Sequence, residues 1–168
     1  LQFKIPARCL FFFFFEMLTD TKGFGIMSHV FAGYEEYKGD IPGRTRGSLV
    51  AFENGETTSY GIGNAQERGT MFIIPAENVY EGQIIGENSR EDDMDVNPCK
   101  KKHVSNMRAS GSDDAIRLIP PKTFSLEQAL EHINDDELVE VTPKSIRMRK
   151  KVLDRIERGR IRGRMKNQ

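Results

Sequence analysis

Four short runs, Ser48 to Phe52, Thr57 to Ile62, Thr70 to Ile74 and Gln83 to Gly86, follow one another with turn signals such as Asn54-Gly55 and Glu81-Gly82 between them. Short apolar and β-branched runs punctuated in this way are what an antiparallel sheet or small barrel requires. The middle of the chain is therefore expected to be β-rich. Asn64 to Arg68 fits one helical turn between two of the strands.

Upstream, Leu1 to Ile5 alternates apolar and polar residues as a strand does. After Pro6, Ala7 to Leu18 is apolar nearly all round with Glu16 as its one acid, the pattern of a heavily buried helix. The run Phe11 to Phe15 reads as part of that buried surface, because five exposed rings would invite aggregation. Thr19 to Gly23 is turn chemistry and Gly25 to Phe31 reads as a second strand. Strand, helix, turn and strand make half of a split βαβ arrangement.

Downstream, Ala115 to Ile119 reads as a strand before Pro120-Pro121. Ser125 can cap a helix in a capping box with Gln128, and Leu126, Ala129, Leu130 and Ile133 fall on one face. A turn at Asn134-Asp135-Asp136 leads to a strand from Leu138 to Val141. Thr142-Pro143 reads as a second helix start, a cap followed by Pro at the first helical position. Ile146, Leu153 and Ile156 give that helix a narrow apolar stripe among Lys and Arg as far as Gly159. Fraying or disorder is expected after about Arg160. The fold class is α+β, with a β-rich, barrel-like unit and two late helices.

No run approaches the roughly 20 apolar residues of a membrane span, since Cys9 to Phe15 is stopped by Glu16. A basic residue precedes that run, but no small-residue cleavage site follows it. The first residue is Leu, so the chain is expected to be part of something longer. Two cysteines, Cys9 and Cys99, offer no CxxC motif and no disulfide framework. That usage fits a reducing compartment, with the cytoplasm as the default.

The 25 basic and 25 acidic side chains cancel only in sum. Residues 1–99 carry eight basic and 15 acidic side chains, residues 100–168 carry 17 and 10. Within the second part, Lys100 to Arg117 has five bases and two acids, Ser125 to Glu140 six acids and no base, and Lys144 to Gln168 eleven bases and two acids. Basic blocks flanking an acidic one point to a polyanionic partner.

Enzymatic motifs are sparse. GxxxxGK[ST] is missing, and Gly61-Ile62-Gly63 lacks the third Gly of a dinucleotide fingerprint, so it reads as a bend between strands. Asp93 to Asn97 begins like a calcium loop, but Pro98 stands where Gly is needed and Val104 where the bidentate Glu belongs. Cys99 and His103 could give zinc two ligands, yet Cys9, His29 and His132 are isolated. A metal-dependent or nucleophilic enzyme around Cys99, His103 and Asp92, Asp93 and Asp95 is one alternative reading. A protein-interaction domain is another.

Glu87 to Asp114 carries almost no periodic apolar pattern, and a stretch so long without regular structure is usually functional or disordered. Within it, Lys100, Lys101 and Lys102 are point charges suited to phosphate and Arg108 offers a planar fork. His103 lies between them. Ser105, Asn106, Ser110 and Ser112 add neutral donors, and Gly111 permits close backbone approach. A solvated surface loop would share the charge, but the variety of donors favours contact with an irregular RNA backbone. Arg44, Arg46 and, in the basic helix, Lys144, Arg147, Lys150 and Lys151 are possible secondary contacts. That helix could equally be solvated or pair with the acidic block.

Several runs occur together: LTDTKG at 18–23, NAQERG at 64–69, VYEG at 79–82, GENSR at 86–90, NMRASG at 106–111, LEQAL at 126–130 and DDELVEVTP at 135–143. In this order they resemble the C-terminal part of the BipA/TypA family of translational GTPases, which is similar to elongation factor G. The resemblance implies that residues 1–32 are the second half of an elongation-factor-like domain V, a ferredoxin-like βαββαβ unit. Residues 33–160 would be the family's C-terminal domain, and 161–168 a basic disordered tail. It implies a cytoplasmic, ribosome-associated monomer acting in large-subunit assembly and in translation under stress. Large-subunit rRNA and the acceptor end of tRNA would be its partners, with no membrane. The long loop, Asn97 to Asp114 here, would reach toward the peptidyl transferase centre. Hydrolysis of GTP, with Mg, would belong to an upstream domain, so these residues would hold no cofactor and no catalytic group. The sequence departs from the family at Cys9-Leu10-Phe11-Phe12, where Gly-Leu-Ile-Gly is usual, and at Phe14-Phe15, where a polar or basic pair is usual.

Overall fold

The computed structural model describes residues 1–39, 43–101 and 117–165. The chain divides into two compact units, residues 1–43 and 44–168.

In the first unit the apolar run forms helix α1, Ala7–Asp20, which starts after Pro6. The helix closes where the Gly23 amide donates to Leu18 O at 2.7 Å, with Gly23 at φ +83°. Such a left-handed closing residue is the usual use of Gly beyond a helix end. Phe13 and Phe14 are exposed rather than buried. The strands expected at Leu1 to Ile5 and Gly25 to Phe31 are not formed. A strand needs a neighbour to take its N–H and C=O groups, and among the described residues neither segment pairs with one. Side chains tie the unit instead: Glu35 pairs with Lys4 and Lys38, and the Arg8 guanidinium lies 4.5 Å from the Tyr37 ring centre.

The second unit is α+β, built on an open six-stranded sheet. Strand β1 (Ser48–Ala51) pairs antiparallel with β5 (Gln83–Asn88) and parallel with β6 (Met94–Val96). A two-stranded ribbon joins β2 (Gly55–Glu56) to β4 (Asn78–Val79). Strand β3 (Gly69–Met71) also lies on β5, and β8 (Ile146–Lys150) links β5 to β7 (Glu137–Val141). Helix α2 (Ser59–Gln66) and helix α3 (Leu126–His132) complete the two cores. Ile85 points to Ile62 and Ala65 of α2, while its neighbour Ile84 points to Ala129 of α3 and Met148. Adjacent strand residues face opposite sides, so the sheet is buried on both faces.

Several segments differ from the sequence expectation, among them β6, which forms within the stretch from Glu87 to Asp114 expected to lack regular structure. Thr57 to Ile62 contributes to α2 rather than a strand: Thr58 accepts from the Gly61 amide at 2.9 Å as an N-cap, and Gly61, Ile62 and Ala65 pack inward. Two glycines are poor helix formers, so tertiary packing outweighs propensity here. Thr142-Pro143 is the turn of the β7–β8 hairpin, in which the Ser145 amide donates to Thr142 Oγ1 at 3.0 Å. The same cap-and-Pro chemistry that starts a helix also closes a turn. The residues after it follow a period of two, with Met148 and Lys150 buried. The last helix, α4 (Arg155–Met165), therefore begins later than expected and extends to Met165, into the segment expected as a disordered tail, of which residues 166–168 lie outside the described residues. The strand expected at Ala115 to Ile119 is not formed over Arg117 to Ile119, and its first two residues lie outside the described residues. The α3 capping box is present as expected, with Ser125 and Gln128 bonded reciprocally at 3.3 and 3.0 Å.

Candidate nucleic-acid interface

The two ends of the segment that the sequence singles out are held by the two ends of α2. On the outgoing side, the Thr58 amide donates to Pro98 O at 2.9 Å, and the Thr58 hydroxyl donates to Lys100 O at 2.5 Å. A Cβ on Gly61 would stand 2.2 Å from Pro98 O, so only Gly lets the strand end pass so close to the helix. On the returning side, Gln66 Nε2 donates to Ile119 O at 3.0 Å, and the Lys122 amide donates to Met71 O at 2.9 Å. Lys100 and Lys101 leave the fold exposed, and among the described residues neither forms an ion pair. Lys102, His103, Ser105, Asn106, Arg108, Ser110 and Gly111 lie outside the described residues.

The secondary cations divide into two groups. Arg44 and Lys150 are buried and committed inward, which removes them from any RNA-facing surface. Arg44 donates to His132 Nε2 at 2.7 Å, to Ser48 Oγ at 2.8 Å and to Glu137 Oε1 at 2.9 Å. Lys150 Nζ meets Asp93 at 2.6 Å and Asp136 and Glu137 at 2.9 Å each. Ser48 Oγ donates to Glu137 Oε1 at 2.6 Å and the Asn134 amide to Oε2 at 3.0 Å, so the buried carboxylate is saturated. A charge taken out of water needs such a full set of partners.

The network sets its own protonation. Burial alone would raise the Glu137 carboxyl, but the Lys150 charge and the Ser48 hydrogen bond outweigh it and hold it below the ordinary range. Burial would lower Lys150, but Glu137 and the carboxylates around the ammonium raise it. His132 is pushed down to about 4 by burial and by the Arg44 charge. Arg44 can only donate, so His132 Nε2 is an acceptor and the ring proton sits on Nδ1.

The other secondary cations face outward. Arg46 is exposed beside Glu87 at 3.6 Å. Lys144 at the hairpin turn and Lys151 after β8 are exposed, and Arg147 is half-buried with its Nε lacking a hydrogen-bond partner. Helix α4 divides its arginines similarly. Arg158 meets Asp95 at 2.6 Å and Arg162 meets Asp93 at 3.7 Å, while Arg160 and Arg164 are exposed. The spacing accounts for the clasp: four residues along a helix and two along a strand both advance about 6 to 7 Å.

These ion pairs bear on the alternative centred on Cys99, His103 and the aspartates. Asp93 accepts from the Ser48 amide at 2.8 Å as well as from Lys150, and Asp95 holds Arg158. The Cys99 thiol is pushed up by burial and by the Glu53 charge, away from the thiolate that binds metal. Among the described residues no group of three His, Cys, Asp or Glu side chains is placed to hold a metal ion. No helix among them is long and apolar enough to cross a membrane.

Sequence reasoning missed Thr58, Gln66 and Lys122. The signal for Thr58 was present, since Thr58 precedes a helix of which Gly61, Ile62 and Ala65 form one face.

Comparison with known proteins adds to this geometry. The family described as TypA/BipA C-terminal domain matches residues 46–155. The chain is 44% identical over 159 residues to the large ribosomal subunit assembly factor BipA of Bacillus subtilis, covering 94% of this chain and 26% of that protein. It is 48% identical over 161 residues to the protein of the same name from Haemophilus influenzae, covering 95% and 26%. To the putative elongation factor TypA-like SVR3, chloroplastic, of Arabidopsis thaliana it is 48% identical over 148 residues, covering 88% and 22%. The chain thus spans about a quarter of the length of the curated relatives it matches.

Proposed function

Because the chain belongs to the TypA/BipA family and carries its C-terminal domain, we propose that it is the ribosome-binding module of a translational GTPase, contacting large-subunit rRNA and the acceptor end of tRNA. It acts in assembly of the large subunit and in translation under stress, as a cytoplasmic, ribosome-associated monomer. GTP and Mg belong to another part of the longer protein, and the residues of this chain bind rather than catalyse.

The observation that carries this reading is the sorting of cations. Arg44, Lys150 and Arg158 are neutralised inside the fold, whereas Lys100 and Lys101 stand exposed and unpaired among the described residues, on a stem pinned to α2. Free cations on a fixed stem suit phosphate contact. Lys102, His103, Ser105, Asn106, Arg108, Ser110 and Gly111 extend that surface, with Arg46, Lys144, Arg147 and Lys151 as further contacts. Relatives named as large-subunit assembly factors support the choice of partner.

Co-sedimentation of the chain with purified large ribosomal subunits tests it. Binding that is lost when exposed rRNA is trimmed by ribonuclease is the expected result. Binding indifferent to ribonuclease would favour a protein-docking domain instead.

A further inference from the structure

One edge of β5 is shared by two strands in succession. Gly86 to Asn88 pair with β3, and Gln83 and Ile84 pair with β8. Where those partners diverge, between Phe72 after β3 and Ile146 at the start of β8, the sheet opens into a cleft of about 430 Å3 that Lys122 to Phe124 also line. Its apolar part includes Ile84 and Met148, both buried, and the Phe72 and Phe124 rings, which meet edge to face at 4.8 Å.

Two exposed lysines line the same cleft, Lys122 and Lys144. Lys122 Nζ stands 4.8 Å from the centre of the Phe124 ring. Lys144 is carried at the tip of the β7–β8 hairpin, whose turn is fixed by the Thr142 and Ser145 hydrogen bonds. Among the described residues neither lysine forms an ion pair. The one carboxylate in the cleft, Glu77, accepts from the Ile74 amide at 3.3 Å. Two exposed lysines beside an apolar wall suit an anion joined to a flat ring.

We propose that this cleft takes one nucleotide, its phosphate against Lys122 and Lys144 and its base over the apolar wall, and that the nucleotide is part of a single-stranded RNA. The inference rests on the RNA-binding reading and adds to it a second point of contact, separate from the Lys100 stem.

The test titrates the 168-residue chain against a labelled hexa-adenylate, with AMP and inorganic phosphate as competitors. Lys122→Ala combined with Lys144→Ala removes two exposed side chains, so the variant keeps its fold, which circular dichroism verifies. The expected result is about tenfold weaker hexamer binding and a log affinity against log salt slope shallower by about 0.7, one phosphate on a single strand. AMP should compete weakly with the hexamer on the parent chain. Hexamer binding unchanged in this variant but weakened by Lys100→Ala with Lys101→Ala would overturn the cleft and leave the proposed function standing. Binding untouched by either pair would overturn both. AMP binding as tight as the hexamer would show a free-nucleotide site and contradict the RNA source. Inorganic phosphate competing as well as AMP would contradict the place for a base.

Discussion

Lys150 Nζ lies 2.9 Å from Glu137 Oε1, and both side chains are almost wholly removed from solvent. The two residues are cross-strand neighbours in the β7–β8 hairpin, and through Arg44, Ser48 and Asp93 their pair ties β1, β6 and the hairpin together. Removing one partner of a buried pair leaves the other charge uncompensated, at about 3 to 5 kcal/mol. Glu137→Gln is expected to lower unfolding stability by about that amount in urea titration. A loss below about 1 kcal/mol would show that the network is not structural.

His132 gives the unit a pH dependence. In the unfolded chain the imidazole takes up a proton near pH 6.5, whereas in the folded chain it does so only at about 4. Between those values the unfolded state binds more protons, so stability falls as the pH falls through that window. The melting temperature should drop from pH 6.5 to 5, and His132→Gln should flatten that drop. Equal slopes in parent and variant would place the pH dependence elsewhere.

Helix α4 is expected to be held by Asp95. Asp95→Asn weakens the Arg158 contact at 2.6 Å and the Arg155 contact at 3.7 Å. Amide exchange over 155–165 should accelerate severalfold while the sheet amides keep their protection. Uniform acceleration would instead mean that α4 and the sheet open as one cooperative unit.

Thr58→Ala removes both the α2 cap and the hydrogen bond to Lys100 O, and should cost about 0.5 to 2 kcal/mol. Gly61→Ala should cost more, because its Cβ would strike Pro98 O and the outgoing stem must move. The order of the two losses in chemical denaturation checks the account of the stem.

The sequence was most legible where local chemistry and tertiary packing agree. Ser125 and Gln128 announce α3, and the turn at Asn134 to Asp136 leads into β7. Thr58 and Thr142 show the opposite case. Each is a hydroxyl that accepts from the amide three residues on, and whether a helix or a hairpin follows depends on which later residues find a core. Asp154 and Glu157, spaced as cap and third helical residue, do mark the start of α4, and the Glu157 amide donates to Asp154 Oδ1 at 2.7 Å. Thr142-Pro143 masked that signal. For the cations, composition revealed their number but not their commitments. Arg44 and Lys150 look like any other basic residues until the fold brings Glu137, Asp93 and His132 around them. The strands at the start of the chain were legible as pattern alone, and an alternating pattern with no neighbour to pair with does not become a strand.

The salt dependence of large-subunit binding tests the central claim most directly. The parent chain and a variant with Lys100, Lys101 and Lys102 all replaced by Ala would be compared across a range of salt concentrations. Loss of the three phosphate contacts should weaken binding at low salt and make the log-log slope shallower by about 0.7 to 0.9 per contact. An unchanged affinity and an unchanged slope would contradict the assignment of RNA contact to this stem.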